Sequence, residues 1–174
     1  MILETERLIL REMTQADFPA LCKILQDAEV MRAYEHAFSD LEAQQWLDRQ
    51  RARFCEHGLS LWAAVLRETG DMIGQCGITL QQCGTKTVPE IGYLFQKAFW
   101  HRGYATEAAV ACRRYAFEQL DLEEIYSIIR DSNLPSQRVA LRNAMTLRGS
   151  CIKQYYGLEM PHLIFSARRD ACSE

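Results

Sequence analysis

Trp100-His-Arg-Gly-Tyr-Ala-Thr-Glu107 marks the point at which a strand-like run gives way to a helix. Upstream, Glu90-Ile-Gly-Tyr-Leu-Phe95 is rich in β-formers, and downstream residues 105–120 make an Ala-rich amphipathic segment. The first turn of a helix leaves several N–H groups without intrahelical partners, and the helix dipole places partial positive charge at that end. Gly103 allows a sharp turn with no Cβ to block an anion, Ala105 keeps the surface low, and His101 and Arg102 add positive charge. The junction therefore reads as an anion site. No G-x-x-x-x-G-K-[ST] occurs, so it is not a P-loop, and no G-x-G-x-x-G follows a strand, so the dinucleotide fingerprint is missing. A nucleotide held at the same helix start stays open as an alternative.

Working outward, residues 8–10 predict a short strand, and Thr14 with Asp17 predicts the start of a helix through Phe18, Leu21, Cys22 and Leu25. Ser39 and Glu42 form a capping box ahead of a helix over 41–56, with Gly58 where a C-terminal glycine belongs. Segments 61–66 and 72–80 are apolar runs joined by Glu68-Thr-Gly-Asp71, a hairpin with a Gly turn. A polar loop containing Gly84 and Pro89 leads to a strand over 91–95. In the helix that follows, Ala105, Ala108, Ala109, Cys112, Tyr115 and Ala116 recur at helical spacing, small enough to let it lie close to a sheet. A strand over 124–130, a short helix over 136–143 and closing strands over 149–155 and 163–167 complete a mixed α/β order in one domain over 1–174.

The chain has 174 residues, 48% of them apolar, enough for a real core. A formal charge of −3 argues against a general nucleic-acid binder, so phosphate binding must be local. Seven scattered cysteines form an odd set without a C-x-x-C pair and read as reduced, mostly packed thiols. A zinc site built from Cys76 and Cys83 with His101 or His162 is supported by neither spacing nor clustering, and no metal is expected. The amino terminus lacks a basic region followed by an apolar run, and no stretch is long enough to span a bilayer, which points to the cytoplasm.

With these elements in place, the chain resembles the GNAT superfamily of acyl-CoA-dependent N-acetyltransferases, most closely the branch of ribosomal-protein amino-terminal acetyltransferases. Five blocks carry the resemblance in order: Glu4-Thr-Glu-Arg-Leu-Ile-Leu-Arg11, Gly74-Gln-Cys-Gly-Ile78, Glu90-Ile-Gly-Tyr93, Phe99-Trp-His-Arg-Gly-Tyr-Ala-Thr-Glu-Ala108, and Ser132-Asn-Leu-Pro-Ser136 with Val139. The resemblance implies an α/β (α+β) domain with a mixed, mostly antiparallel seven-stranded sheet, splayed between its fourth and fifth strands and covered by helices on both faces. It implies acetyl-CoA as cosubstrate, its pyrophosphate cradled by Trp100, His101, Arg102, Gly103, Tyr104 and Ala105, with the Thr106 hydroxyl as a further donor. The pantetheine would lie along Ile91, Gly92, Tyr93 and Leu94. Asn133 and Ser136 would contact the pantetheine arm and the phosphates, although both positions also fit helix capping. The partner would be an amine acceptor, a small molecule or a peptide amino terminus, met by a monomer or homodimer.

Three departures from the family pattern stand out. Trp100 occupies a place usually held by Gln or Arg, so the first signature side chain brings no charge. Ala140 stands where many members carry a tyrosine that protonates the departing thiolate. Ala144-Met145 replaces a Gly-Phe or Gly-Met turn, which strains Ala144 if its φ is positive. For the chemistry, Glu90 is the candidate base, the alternative being an exposed charge at a strand end. Tyr155 and Tyr156 are the candidate proton donors, with Tyr93 turned away by strand alternation. A backbone N–H near Tyr93 or Leu94 would polarise the thioester carbonyl. Cys76 and Cys151 are read as packed rather than nucleophilic, and His162 as either lining the acceptor pocket or capped at the entry to the last strand. Acceptor selectivity is placed in residues 31–38, which hold Arg32, Tyr34, Glu35 and His36. The same cradle without turnover would make a CoA-binding sensor.

Overall fold

The six residues Leu61–Leu66 form an apolar run without alternation, the pattern of a strand buried on both faces. The computed structural model, which describes residues 1–155 and 157–169, shows this strand (β3) deep in a single sheet. Trp62 and Ala64 pack on one face with Leu8, Leu10, Ala108 and Cys112, while Leu61, Ala63 and Val65 pack on the other with Leu21, Ile24, Ala43 and Leu47. The chain runs β1 (Leu3–Glu4), β2 (Leu8–Arg11), α1 (Phe18–Leu25), α2 (Asp40–His57), β3, β4 (Met72–Cys83), β5 (Lys86–Phe95), α3 (Tyr104–Glu118), β6 (Glu124–Arg130), α4 (Leu134–Arg142), β7 (Thr146–Tyr155) and β8 (Leu158–Arg168). The sheet order is β1-β2-β3-β4-β5-β6-β8-β7. Helices α1 and α2 cover one face, and α3 and α4 the other. No helix among the described residues is long and apolar enough to cross a membrane.

The fold class is as expected, but the sheet has eight strands rather than seven. The additional strand is the two-residue β1, which folds back on β2 through Leu3 opposite Leu10. Two residues are too few to show a period. The polar loop expected before residue 91 is instead a long hairpin: β4 and β5 pair from Gly74–Phe95 out to Cys83–Lys86, turning at Gly84 with φ +64°. Its outer half carries exposed Gln82, Lys86 and Thr87 and meets no core, so backbone pairing extends it where side-chain alternation is silent. Strand β8 likewise starts at Leu158, which places His162 inside the strand rather than at its entry.

All neighbouring strands are antiparallel except β5 and β6, which are parallel and share the single ladder position Glu90–Tyr126. Past that position the bonds between them run through side chains. Ser127 Oγ donates to the Ile91 carbonyl at 3.0 Å, and the Ile128 N–H donates to the Glu90 carboxylate at 2.9 Å. This is the expected splay, between β5 and β6.

The capping box of α2 is complete. Ser39 Oγ accepts from the Glu42 N–H at 3.3 Å, and the Glu42 carboxylate accepts from the Ser39 N–H at 2.8 Å. The Ser39 N–H, then His36, hold the Glu42 carboxyl at about 2. Ser39→Ala is expected to lower the melting temperature by about 2–4 °C, the usual cost of a lost cap in a chain of this size. An unchanged thermal transition would show that the box contributes nothing.

Candidate functional site

The loop before α3 is anchored by Trp100, whose indole reaches both cores and donates its N–H to the Phe95 carbonyl at 2.9 Å. The tryptophan thus fixes the loop and supplies no charge. His101 and Gly103 both take left-handed backbone, with φ +60° and +83°. Glycine adopts that conformation freely; histidine does so at a cost, a strain not visible in the sequence. Gly103 is the N-cap of α3 and brings no capping side chain. The N–H groups of Tyr104, Ala105 and Thr106 therefore have no acceptor within the helix. At this helix start lies a cavity of about 540 Å³ lined by His101, Gly103, Thr106, Glu107 and Arg142. Arg142, from the last turn of α4, was missed by the sequence reading, although a cation in that turn is itself a signal.

From this cradle the chain leads back through the short turn Lys97–Phe99 to β5. Beyond Glu90, residues Ile91 to Leu94 pair with β4 on one side and share no ladder position with β6 on the other. Gly92, Tyr93 and Leu94 are partly accessible, so their backbone presents a sheet edge inside the molecule.

Glu90 sits at the point of the fork, and it is not an exposed strand-end charge. Burial pushes its carboxyl above the ordinary range, only partly offset by the Lys153 charge and the Ile128 N–H. Tyr93 is removed as a proton donor: its hydroxyl donates to the Ser136 carbonyl at 2.9 Å, and burial raises its pKa. Asn133 is the N-cap of α4, its Oδ1 accepting from the Ser136 N–H at 3.2 Å, so the capping alternative holds for its oxygen. Tyr155 ends β7 with its ring 5.9 Å from that of His162. Tyr156 lies outside the described residues. His162 is buried, its Nδ1 2.8 Å from the Met160 carbonyl oxygen, and burial lowers its pKa. Cys76 is fully buried beside Cys112, sulfurs 3.6 Å apart, and burial lifts the Cys151 thiol. Burial thus works against a Cys151 thiolate. Ala140 is buried against the core, and its methyl group has no proton to donate.

On the other side of the fork, Tyr34 ends the turn Val30–Tyr34 and stands edge-on to Trp46, ring centroids 5.8 Å apart. Burial first, and then the Glu90 charge, raises its pKa, which ties residues 31–38 electrostatically to the fork. Glu35 pairs with Arg130 at the end of β6, so it is not a free acidic charge for the acceptor. Arg130 is a second residue that sequence reasoning missed, because the contact spans 95 positions. The left-handed φ anticipated for Ala144 is present, at +54°.

Residues 7–146 match the family model described as an acetyltransferase (GNAT) domain. The chain is 37% identical to the uncharacterized protein YkkB of Bacillus subtilis over 144 residues, covering 82% of this chain and 84% of that one. A GNAT-family acetyltransferase from Bacillus anthracis shares the fold with a TM-score of 0.84 at 22% identity, over 98% of this chain and 99% of the other. RimL, a ribosomal L7/L12 α-N-protein acetyltransferase solved in complex with coenzyme A, does so at 0.79 and 18% identity, over 98% of each chain. The match to the family model spans both the fork and the uncapped helix start, and the chain belongs to the GNAT acetyltransferase family.

Proposed function

We propose that residues 1–174 form one N-acetyltransferase domain that moves the acetyl group of acetyl-CoA to a primary amine, on a small molecule or at a protein amino terminus, by direct transfer in a ternary complex. One observation carries this reading: residues 96–103 join the uncapped start of α3 to the stretch of β5 that shares no ladder position with β6, and that stretch begins at a half-buried carboxylate. A diphosphate suits the first, a chain of amides the second, and an amine awaiting deprotonation the third. The residues present fit the cofactor: the N–H groups of the loop after Trp100 and of Tyr104 to Thr106, with the Arg142 guanidinium, would hold its phosphates. The backbone of Ile91 to Leu94 would serve the pantetheine, and the Asn133 amide nitrogen and Ser136 hydroxyl would contact its arm and phosphates. That RimL binds CoA on the same fold supports the ligand.

In the reaction, Glu90 takes the ammonium proton, directly or through water. The freed nitrogen lone pair attacks the thioester carbonyl carbon while a backbone N–H of Tyr93 or Leu94 steadies the developing oxyanion. The nitrogen then sheds its second proton to solvent as the C–S bond breaks, and the thiolate takes a proton from solvent or from Tyr155 or Tyr156. A thiol with pKa of about 8.5 leaves tolerably without a dedicated acid. The odd, scattered set of seven cysteines without a C-x-x-C pair supports a reducing compartment, the cytoplasm. A sensor that binds CoA without turnover is the second reading, favoured by the buried Ala140.

Thiol release from acetyl-CoA across a panel of amines and amino-terminal peptides, with calorimetry for CoA and ATP, tests the proposal. Amine-dependent release with CoA bound in preference to ATP is expected. CoA binding with no release on any amine would establish the sensor instead, and absence of CoA binding would overturn both.

A further inference from the structure

Two sequence blocks 100 residues apart meet at one carboxylate. Thr5 and Arg7 lie in the turn between β1 and β2, and Glu107 lies in the first turn of α3. Glu107 Oε1 accepts from the Thr5 hydroxyl at 2.5 Å and from the Arg7 N–H at 2.9 Å, while Oε2 accepts from Arg7 Nε at 2.6 Å and lies 2.6 Å from Nη2. The guanidinium continues past this carboxylate onto the cradle. Its Nη1 donates to the Arg102 carbonyl at 3.0 Å, its carbon stands 4.4 Å from the centre of the Tyr104 ring, and Nη2 would lie 3.4 Å from a Cβ on Gly103. One side chain therefore touches Glu107, Arg102 and Tyr104, and the last two flank the left-handed Gly103.

The carboxylate creates a problem that Arg7 solves. Glu107 lines the same cavity as His101, Gly103, Thr106 and Arg142, where a diphosphate is expected. Burial pushes its carboxyl up, yet the bonds from Thr5 and Arg7 together outweigh that and hold it below the ordinary range, so it is charged at neutral pH. An uncompensated anion in the first turn would take up the favourable field of the helix end and repel the ligand.

Resting on the acetyl-CoA reading, we propose that Arg7 is a positioning residue for the donor cofactor: it holds the 101–103 loop in its left-handed shape and cancels the Glu107 charge beside the diphosphate. It does not touch the reacting atoms. The inference concerns the donor side only, so the acceptor side should be indifferent to it.

Calorimetry with CoA, together with KM for acetyl-CoA and for the amine, on Arg7→Ala, Arg7→Lys, Glu107→Gln and the Arg7→Ala/Glu107→Gln pair tests this, with circular dichroism verifying that each variant is folded. Arg7→Ala is expected to weaken CoA by roughly 10- to 30-fold, the usual size for lost charge-assisted bonds, and to leave the amine KM unchanged. Arg7→Lys keeps the charge but loses the fork, and should weaken CoA by about threefold to fivefold. Glu107→Gln keeps one acceptor oxygen and loses the other, so the guanidinium is held less firmly, and KM for acetyl-CoA should rise by about threefold to fivefold with the amine KM unchanged. The double variant should bind several-fold more tightly than Arg7→Ala, because the uncompensated carboxylate is gone. A double variant no better than Arg7→Ala, an Arg7→Ala protein that binds CoA normally, or equal rises in both KM values would overturn the proposal. Should Arg7→Ala fail to fold, Arg7→Lys and Glu107→Gln decide the matter alone. Failure of the parent protein to bind CoA would instead refute the functional reading on which it rests.

Discussion

Glu90→Gln is expected to lower kcat by roughly a hundredfold or more, the usual contribution of a positioned general base, with CoA affinity unchanged. Glutamine keeps an oxygen to accept the Ile128 N–H, so the fork should stay closed at its point, and only the ability to take a proton is lost. The pH dependence has a definite sign. Burial raises the folded-state pKa of Glu90, and a base works only when ionised, so kcat/KM should climb with pH through that raised pKa. In the glutamine variant this limb should vanish. Stability runs the other way: the folded chain holds this proton more tightly than the unfolded chain does. Stability is therefore lost as pH rises from the ordinary glutamate pKa to the raised one, and glutamine removes that loss. A pH–rate profile that glutamine leaves intact would take Glu90 out of the mechanism and leave it as a brace between β5 and β6.

Gly77→Ala should be the most damaging small substitution in the sheet. A Cβ built on Gly77 would stand 2.0 Å from the Ser60 carbonyl oxygen and 3.1 Å from the Leu61 Cα. Both are backbone atoms, and neither swings aside as a side-chain tip would. The Leu61 N–H is held at 3.0 Å by the buried Gln50 side chain, so the crossing segment is pinned from its other side as well. Relief requires β3 and β4 to move apart, at an expected cost of about 3 kcal/mol and a fall in melting temperature of about 6–12 °C. Gly77 also pairs with Gly92 on β5, so CoA binding should weaken in the same variant. A thermal transition within about 2 °C of the parent would show that the segment yields more easily than its bonds imply.

Helix α2 announced itself because its capping box and terminal glycine are local. The cradle was legible for the same reason, since Gly103 encodes a backbone conformation in one letter. So was the strain at Ala144, where alanine fills a glycine position. The outer β4–β5 hairpin was not, because its polar residues face no core. Nor was the role of Glu90 as a brace, which depends on a register with a residue 38 positions away. Arg7 with Glu107 and Arg130 with Glu35 are hidden for the same reason: each half is an ordinary surface charge until topology brings its partner.

The sheet is continuous across eight strands, yet its two parts, β1–β5 and β6–β8, meet over one rung. Cohesion is thus lowest along the seam where the acyl donor would lie. An arm laid there would supply rungs that the polypeptide itself does not, making the substrate part of the sheet's own architecture for the duration of each turnover.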